Sequence, residues 1–119
     1  MQEKREKRVR VHELKTWPVP YQAVLDKKKH HEVRRDDRGY GVGDVLVLRE
    51  YDPTTRGAFH STLGYTGHAL IAHVTYLTSG DQFGIPSDIC VMSIVVLQWS
   101  ENYHPGVFDE MIRVYRQLP

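Results

Sequence analysis

Short β-prone segments separated by turn signals run through most of this chain. The strongest are residues 45–48, 68–78 and 89–98, which are rich in β-branched and apolar side chains. Asp36-Asp37-Arg38-Gly39 and Gly41-Val42-Gly43-Asp44 are turn signals between such segments. The pattern predicts an α+β domain that is mainly β and forms a small barrel.

Two further strands and two helices complete the predicted order. The strands are 9–15 and 31–35. A helix over 19–28 follows Trp17-Pro18, and loops are predicted over 52–66 and 80–88. The terminal segment 106–117 has an amphipathic helical pattern. We therefore divide the chain into a basic flexible tail (1–8), a barrel (9–98) and a C-terminal extension (99–119). We expect Trp99 and the terminal helix to cap the barrel, or to form a dimer contact.

Composition favours a cytoplasmic protein. Hydrophobic residues make up 40% and charged residues 26% of the 119 residues, which is typical of a globular domain. No apolar run approaches the roughly 20 residues of a membrane span, and charged residues follow Met1, so we expect neither a membrane segment nor a secretory signal. The single cysteine, Cys90, cannot form an internal disulfide and is predicted to be an inert core residue.

Basic residues are clustered although the formal net charge is only +1. One cluster lies at the N-terminus, and the second comprises Lys27, Lys28, Lys29, Arg34, Arg35 and Arg38. Local basic clusters on a near-neutral chain suit an anion such as a phosphate or nucleic acid. The alternative is solvated surface, which we favour for the N-terminal cluster because Glu3 and Glu6 interrupt it.

The spacing of Glu32 and Arg34 suggests a shared site. Side chains two apart on a strand project from the same face, with Lys29 beside them at the preceding helix end. An arginine fork can grip a phosphate or a base edge, and a carboxylate can accept from a base amino group or hold the arginine. The alternative is an internal ion pair that only braces the barrel.

Several stretches together resemble the DUF3850 family within the ASCH superfamily. These are residues 12–15, 28–38, 43–52, 65–67, 74–76 and 91–94, in order and at similar spacing. The resemblance implies a PUA-like barrel and an RNA- or nucleotide-binding role. Two residues depart from the family pattern, in which a glycine is usual in place of Lys27 and a threonine in place of His30. The segment 53–64 is longer than is typical, and residues from about Ser100 onward lie outside the pattern.

Our leading hypothesis is a binding module for RNA or a modified nucleotide. The predicted ligand-binding residues are His12, Lys15, Lys28, Lys29, Glu32, Arg34 and Arg38. Tyr40, Tyr51 and Tyr65 lie near loops, where they either stack on a base or pack at the barrel edge.

A hydrolase is the alternative function. Relatives in the ASCH superfamily include an amidohydrolase of N4-acetylcytidine, with a lysine corresponding to Lys29 and a threonine nucleophile where this chain has Glu32. A carboxylate does not readily replace a hydroxyl nucleophile. Other relatives resemble ribonucleases, for which His30 or His31 would serve beside Lys29 and Glu32. If the chain is an enzyme, Lys29 and Glu32 are the predicted catalytic residues.

No cofactor or metal is predicted. The histidines have no recognised ligand spacing, and Gly39, Gly41 and Gly43 lack the strand–turn–helix context of a dinucleotide fingerprint. A third possibility is a structural or regulatory protein whose basic tail and terminal helix bind another protein.

Overall fold

The β-prone segments form five strands, and two helices flank them. The computed structural model describes residues 9–54 and 64–118. The elements in chain order are β1 (Val11–Thr16), α1 (Pro18–Leu25), β2 (His31–Arg35), β3 (Val45–Tyr51), β4 (Tyr65–Thr78), β5 (Ile89–Ser100) and α2 (Asp109–Gln117). The prediction of a mainly β chain with an early helix and a C-terminal helix is confirmed.

The strands form one curled sheet, a half-barrel, in the order β1-β3-β4-β5-β2. The pair β1–β3 is parallel, and the other three pairs are antiparallel. A register shift between Arg49 and Tyr51, and two more along the β4–β5 pair, mark irregularities that increase local twist. Strands β1 and β2 are the two edges of this sheet.

Several strand and helix boundaries differ from the predicted ones by a few residues. The first strand is displaced to Val11–Thr16, and β5 continues to Ser100. The predicted loop 52–66 is shorter at its end, because β4 begins at Tyr65; residues 55–63 lie outside the described part. The predicted basic tail, residues 1–8, also lies outside the described part, and so does most of the N-terminal basic cluster. The terminal helix begins at Asp109, not 106, after turns over residues 105–108.

The inner face of the sheet, defined as the face that packs on α1, carries the main core. Tyr21 and Val24 of the helix are each 1% exposed. They pack with buried side chains from four strands, among them Leu14, Leu46, Leu48, Leu70, Ala72, Val74, Cys90, Met92 and Ile94. Cys90 is fully buried as predicted, and burial, followed by the charges of two nearby aspartates, raises the pKa of its thiol.

The outer face is covered by the C-terminal segment. Phe108 and Tyr115 are buried against Val45, Val47, Ala69 and Ile71 of the sheet. The Tyr115 hydroxyl lies 3.0 Å from His73 Nδ1 and donates to the Gly43 carbonyl at 3.4 Å. The terminal helix therefore packs on a sheet face and does not close an open end. Trp99 takes no part in this packing and is 61% exposed.

Helix α1 ends three residues earlier than predicted because it closes with a Schellman motif. The Lys28 amide donates to the Ala23 carbonyl at 2.9 Å, and the Lys27 amide donates to the Val24 carbonyl at 3.1 Å. This motif requires a left-handed residue after the cap, and Lys27 has φ of +62°. A glycine is favoured at that position, so the family glycine that Lys27 replaces has a physical reason.

None of the helices in residues 9–54 and 64–118 has the length and apolarity that a membrane crossing requires.

We predict that Lys27→Gly raises the free energy of unfolding by about 0.5–1 kcal/mol, because it removes the cost of a left-handed lysine. Lys28→Gly is the matched control. It removes the same charge one residue later, where φ is not positive, and should destabilise the chain slightly. Urea denaturation of both variants measures the difference. Equal effects would contradict the assignment of strain to Lys27.

We predict that Phe108→Ala lowers the free energy of unfolding by about 3 kcal/mol, since it empties a buried position between the C-terminal segment and the sheet. Val114 of α2 is 41% exposed, so Val114→Ala should change the free energy of unfolding by less than about 0.5 kcal/mol. The comparison is made by thermal or urea denaturation. An unchanged stability of Phe108→Ala would show that the C-terminal segment is dispensable for the sheet.

Candidate functional site

One edge of β1 is not paired with another strand in the described part of the chain. The Val45 amide donates to the Arg10 carbonyl at 2.8 Å, which directs the backbone groups of Arg10 and every second residue after it toward β3. The carbonyls of Glu13 and Lys15 therefore point away from β3, toward the open edge. Open edges are a liability that proteins cover.

Three arginine side chains cover this edge and join it to the segment that contains β2. Arg34 Nη2 donates to the Lys15 carbonyl at 3.0 Å, and Arg38 Nη1 donates to the Glu13 carbonyl at 3.1 Å. From the β1 side, Arg10 donates to the carbonyls of Arg38 and Gly39, at 2.6 and 2.7 Å. The half-barrel is thus bridged along a seam by guanidinium groups instead of a backbone ladder. We call this the arginine seam.

At one end of the arginine seam lies the predicted trio, in the predicted arrangement. Lys29 Nζ is 3.1 Å from Glu32 Oε1, and Arg34 Nε is 3.0 Å from Glu32 Oε2. The Glu32 side chain is 4% exposed, whereas Lys29 and Arg34 are 23% and 24% exposed. Glu32 pairs with Met92 across the strands, so it projects onto the inner face. A buried carboxylate is tolerated here because each oxygen accepts from a cation.

The two cations keep donors that the described residues do not use. Lys29 spends two of its three N–H groups, on Glu32 and on the His31 carbonyl at 2.7 Å. Arg34 spends Nε on Glu32 and Nη2 on the Lys15 carbonyl and the Thr16 hydroxyl, which leaves Nη1 without a hydrogen bond among residues 9–54 and 64–118. Two positive charges and one negative charge leave the trio with one net positive charge.

Three residues that the sequence did not single out extend this cluster. Thr16 is buried, and its hydroxyl accepts from Arg34 at 3.1 Å. Glu50 pairs with Thr16 in the β1–β3 register and accepts from the Thr66 hydroxyl at 2.8 Å. Burial, with a smaller contribution from the Glu50 charge, raises the pKa of the Tyr21 hydroxyl, so Tyr21 stays neutral at ordinary pH. The alternation along β1 was the available signal for Thr16, since it places Thr16 on the face opposite Lys15.

His12 lies apart from the trio. It precedes Thr16 by four residues, about 13 Å along a strand. Its side chain is buried, with Nε2 2.9 Å from Asp44 Oδ2 and its ring against Tyr40 at a centroid distance of 4.8 Å. Asp44 Oδ2 also accepts from the Gly41 amide at 2.9 Å. This contact set braces the loop between β2 and β3.

The remaining predicted ligand-binding residues, Lys15, Lys28 and Arg38, also lie away from the trio. The Lys15 side chain lies on the outer face, with Nζ 4.2 Å from the Tyr51 ring centroid. Lys28 is exposed at the helix end. Arg38 is occupied in the arginine seam and lies 4.0 Å from the Asp37 carboxylate. Of the seven predicted ligand-binding residues, the structure brings together Lys29, Glu32 and Arg34.

Three aromatic side chains from the end of β1, β3 and β4 form a row of ring contacts. Trp17 contacts Tyr51 at a centroid distance of 6.0 Å, and Tyr51 contacts Tyr65 at 5.1 Å. Arg49 lies 3.9 Å from the Tyr65 ring centroid. Tyr40 is 7% exposed and does not offer a free face to a base. We call Trp17, Tyr51 and Tyr65 the aromatic row.

A separate groove of about 240 Å³ lies on the outer face, between β1 and the C-terminal segment. Val11, Tyr103 and Phe108 are among its lining residues, and none of the seven predicted ligand-binding residues lines it. Within the described ranges, no group of three or more His, Cys, Asp or Glu side chains is placed to hold a metal ion.

Comparison with known proteins identifies the family. Residues 11–94 match the model of a domain of unknown function, DUF3850. The chain belongs to the DUF3850 family. The matched region contains the trio, the aromatic row, and Arg34 and Arg38 of the arginine seam. Arg10 of the seam lies just before it, and the match ends within β5, before the C-terminal segment.

A relative of this DUF3850 chain is the uncharacterized 12.9 kDa protein in the GpA 3' region of Escherichia phage P2. The two sequences are 35% identical over 69 residues, which is 58% of this chain. The chain thus spans 55% of the length of that relative.

We predict that Glu32→Ala lowers the free energy of unfolding by about 2–3 kcal/mol. It leaves two cations facing each other, although their partial exposure reduces the cost from that of a fully buried pair. Glu110→Ala breaks a solvent-exposed ion pair in the first turn of α2 and should shift the urea midpoint only slightly. Similar midpoints for the two variants would contradict the structural role of Glu32.

Proposed function

We propose that this protein is a nucleotide- or RNA-binding module whose binding site centres on Lys29, Glu32 and Arg34. The observation that carries the proposal is the unused hydrogen-bonding capacity of the two partly exposed cations beside a buried carboxylate. A guanidinium that is held at Nε and Nη2 presents Nη1 in a fixed direction, which favours a planar or tetrahedral acceptor such as a phosphate.

The mixed character of the site supports a nucleotide more than a simple anion. The trio supplies positive donors, and the partly buried carboxylate of Glu50 adds an acceptor on the same face. A nucleotide presents both phosphate acceptors and base amino donors. A site for inorganic phosphate alone gains nothing from a second carboxylate.

We also propose that the curled sheet is of the PUA-like type, that the family is part of the ASCH superfamily and that the protein is cytoplasmic. The support is the family resemblance and the half-barrel with α1 packed on its inner face. A protein partner bound through α2 remains a prediction.

Hydrolysis of a nucleoside or RNA is less well supported by the geometry. Both Glu32 oxygens accept from cations, and Lys29 is hydrogen-bonded to the His31 carbonyl as well as to Glu32. Neither group is disposed as a free base. Incubation with N4-acetylcytidine and with structured RNA tests this alternative, and product that depends on Lys29 and Glu32 would favour it.

We predict that Arg34→Lys weakens binding of a short single-stranded RNA by about ten- to a hundredfold. The substitution keeps the charge but removes the fork, and hydrogen bonds to charged groups contribute about 1.5–3 kcal/mol. Arg35→Lys is the matched control, since Arg35 is the next residue on β2, is 74% exposed and contacts Asp88. Anisotropy titrations at two salt concentrations measure both, and wild-type affinity should fall steeply with salt.

The absence of RNA and nucleotide binding at low salt would reject the proposal. So would equal losses in Arg34→Lys and Arg35→Lys, since these would indicate diffuse charge and not a site.

A further inference from the structure

We propose that Glu50 reads the base of the bound nucleotide, so that the site takes bases with an exocyclic amino group, such as cytosine and adenine, in preference to uracil. This inference rests on the proposed function, because the phosphate of the same nucleotide lies on Lys29 and Arg34. It adds a selectivity for one class of base and assigns that selectivity to a residue outside the trio.

Glu50 is joined to the trio through Thr16, on the inner face of the sheet. Arg34 Nη2 donates to the Thr16 hydroxyl at 3.1 Å. Thr16 and Glu50 are Cα partners in the β1–β3 register, and they continue on this face the buried pair formed by Leu14 and Leu48. Because neighbouring strands lie about 4.8 Å apart, the Arg34 guanidinium and the Glu50 side chain flank the same threonine.

The Glu50 carboxylate is held at one oxygen and open at the other. Oε1 accepts from the Thr66 hydroxyl at 2.8 Å, and that hydroxyl accepts in turn from the His68 amide at 3.1 Å. Oε2 accepts no hydrogen bond from residues 9–54 and 64–118, and no lysine or arginine in these ranges forms an ion pair with Glu50. Partial burial of a carboxylate without a cation is costly, and a donor from a ligand offsets this cost.

The hydroxyl of Tyr21 adds a donor near Glu50. Burial, followed by the Glu50 charge, raises the pKa of this hydroxyl, so it stays protonated at ordinary pH. An acceptor beside a donor matches the edge of cytosine or adenine, where an amino group adjoins an unprotonated ring nitrogen. Uracil presents a carbonyl oxygen in place of that amino group, and the carboxylate repels it.

The site therefore has a cationic end, formed by Lys29 and Arg34, and an acidic end, formed by Glu50. Glu50 repels a phosphate that has no base attached, and a nucleoside without a phosphate leaves the cations unused. A nucleotide carries its phosphate and its base at opposite sides of the ribose, so one ligand satisfies both ends.

The experiment compares ligands that differ by the exchange of an amino group for an oxo group, namely CMP with UMP and AMP with IMP. Calorimetric titration of the full chain measures their affinities, and strands of about ten cytidines or ten uridines provide the comparison for ligands longer than one nucleotide. Glu50→Gln is the test variant, because it keeps an oxygen that accepts from Thr66. Glu101→Gln is the matched control, since it removes the same charge from an exposed position.

Wild type should bind the amino member of each pair about ten- to a hundredfold more tightly, since the oxo member loses a hydrogen bond to a charged group. In Glu50→Gln the ratio should fall to within about threefold of one, because an amide offers both a donor and an acceptor. Part of this fall should be tighter binding of UMP, which a folding defect does not produce. Glu101→Gln should keep the wild-type ratios.

Several results would overturn the inference. If amino and oxo ligands bind wild type equally and Arg34→Lys weakens both, the reading of the base is wrong while the proposed function stands. A preference that survives Glu50→Gln, or that Glu101→Gln abolishes as well, rejects the assignment to Glu50. If neither the monophosphates nor the strands bind, the proposed function itself has failed, and the selectivity of the site with it.

Discussion

The buried carboxylate of Glu32 is the contact on which the rest of the structure depends. It lies between Lys29, in the segment that joins α1 to β2, and Arg34 on β2, and Arg34 also donates to the Lys15 carbonyl at the open edge of β1. This ionic cluster thus connects the segment after α1 to both edge strands of the sheet, β2 and β1. Because such a cluster is costly to bury, its geometry must be well satisfied, and each Glu32 oxygen has its own cation.

Bracing and binding are compatible uses of the same cluster. The arginine seam needs Nη2 of Arg34 and Nη1 of Arg38, while Nη1 of Arg34 and one N–H of Lys29 are unused among the described residues. A guanidinium fixed by the fold binds a ligand with little loss of side-chain entropy. The structural role of Glu32 then explains why the ligand-facing donors are preorganised, and it does not compete with the proposed function.

Sequence reasoning predicted what local patterns encode. The periodicity of two placed Glu32 and Arg34 together, and the turn signals located β2 and the start of β3. It overextended α1, because the left-handed conformation of Lys27 is set by a hydrogen-bonding motif and not by residue type. It wrongly grouped His12 and Lys15 with the trio. The burial of His12 beside Asp44 and the position of Lys15 over Tyr51 depend on strand pairing between distant parts of the chain, which local patterns do not encode. The arginine seam could not be predicted for the same reason.

The central claim is that the trio is a ligand site as well as a brace. An amide N–H correlation spectrum of isotope-labelled protein, recorded during titration with short single-stranded RNA, tests it most directly. We expect saturable shifts that cluster at Thr16 and residues 29–34, with the groove near Tyr103 and Phe108 unaffected. Shifts confined to that groove, or scattered weakly over all basic residues, would contradict the account.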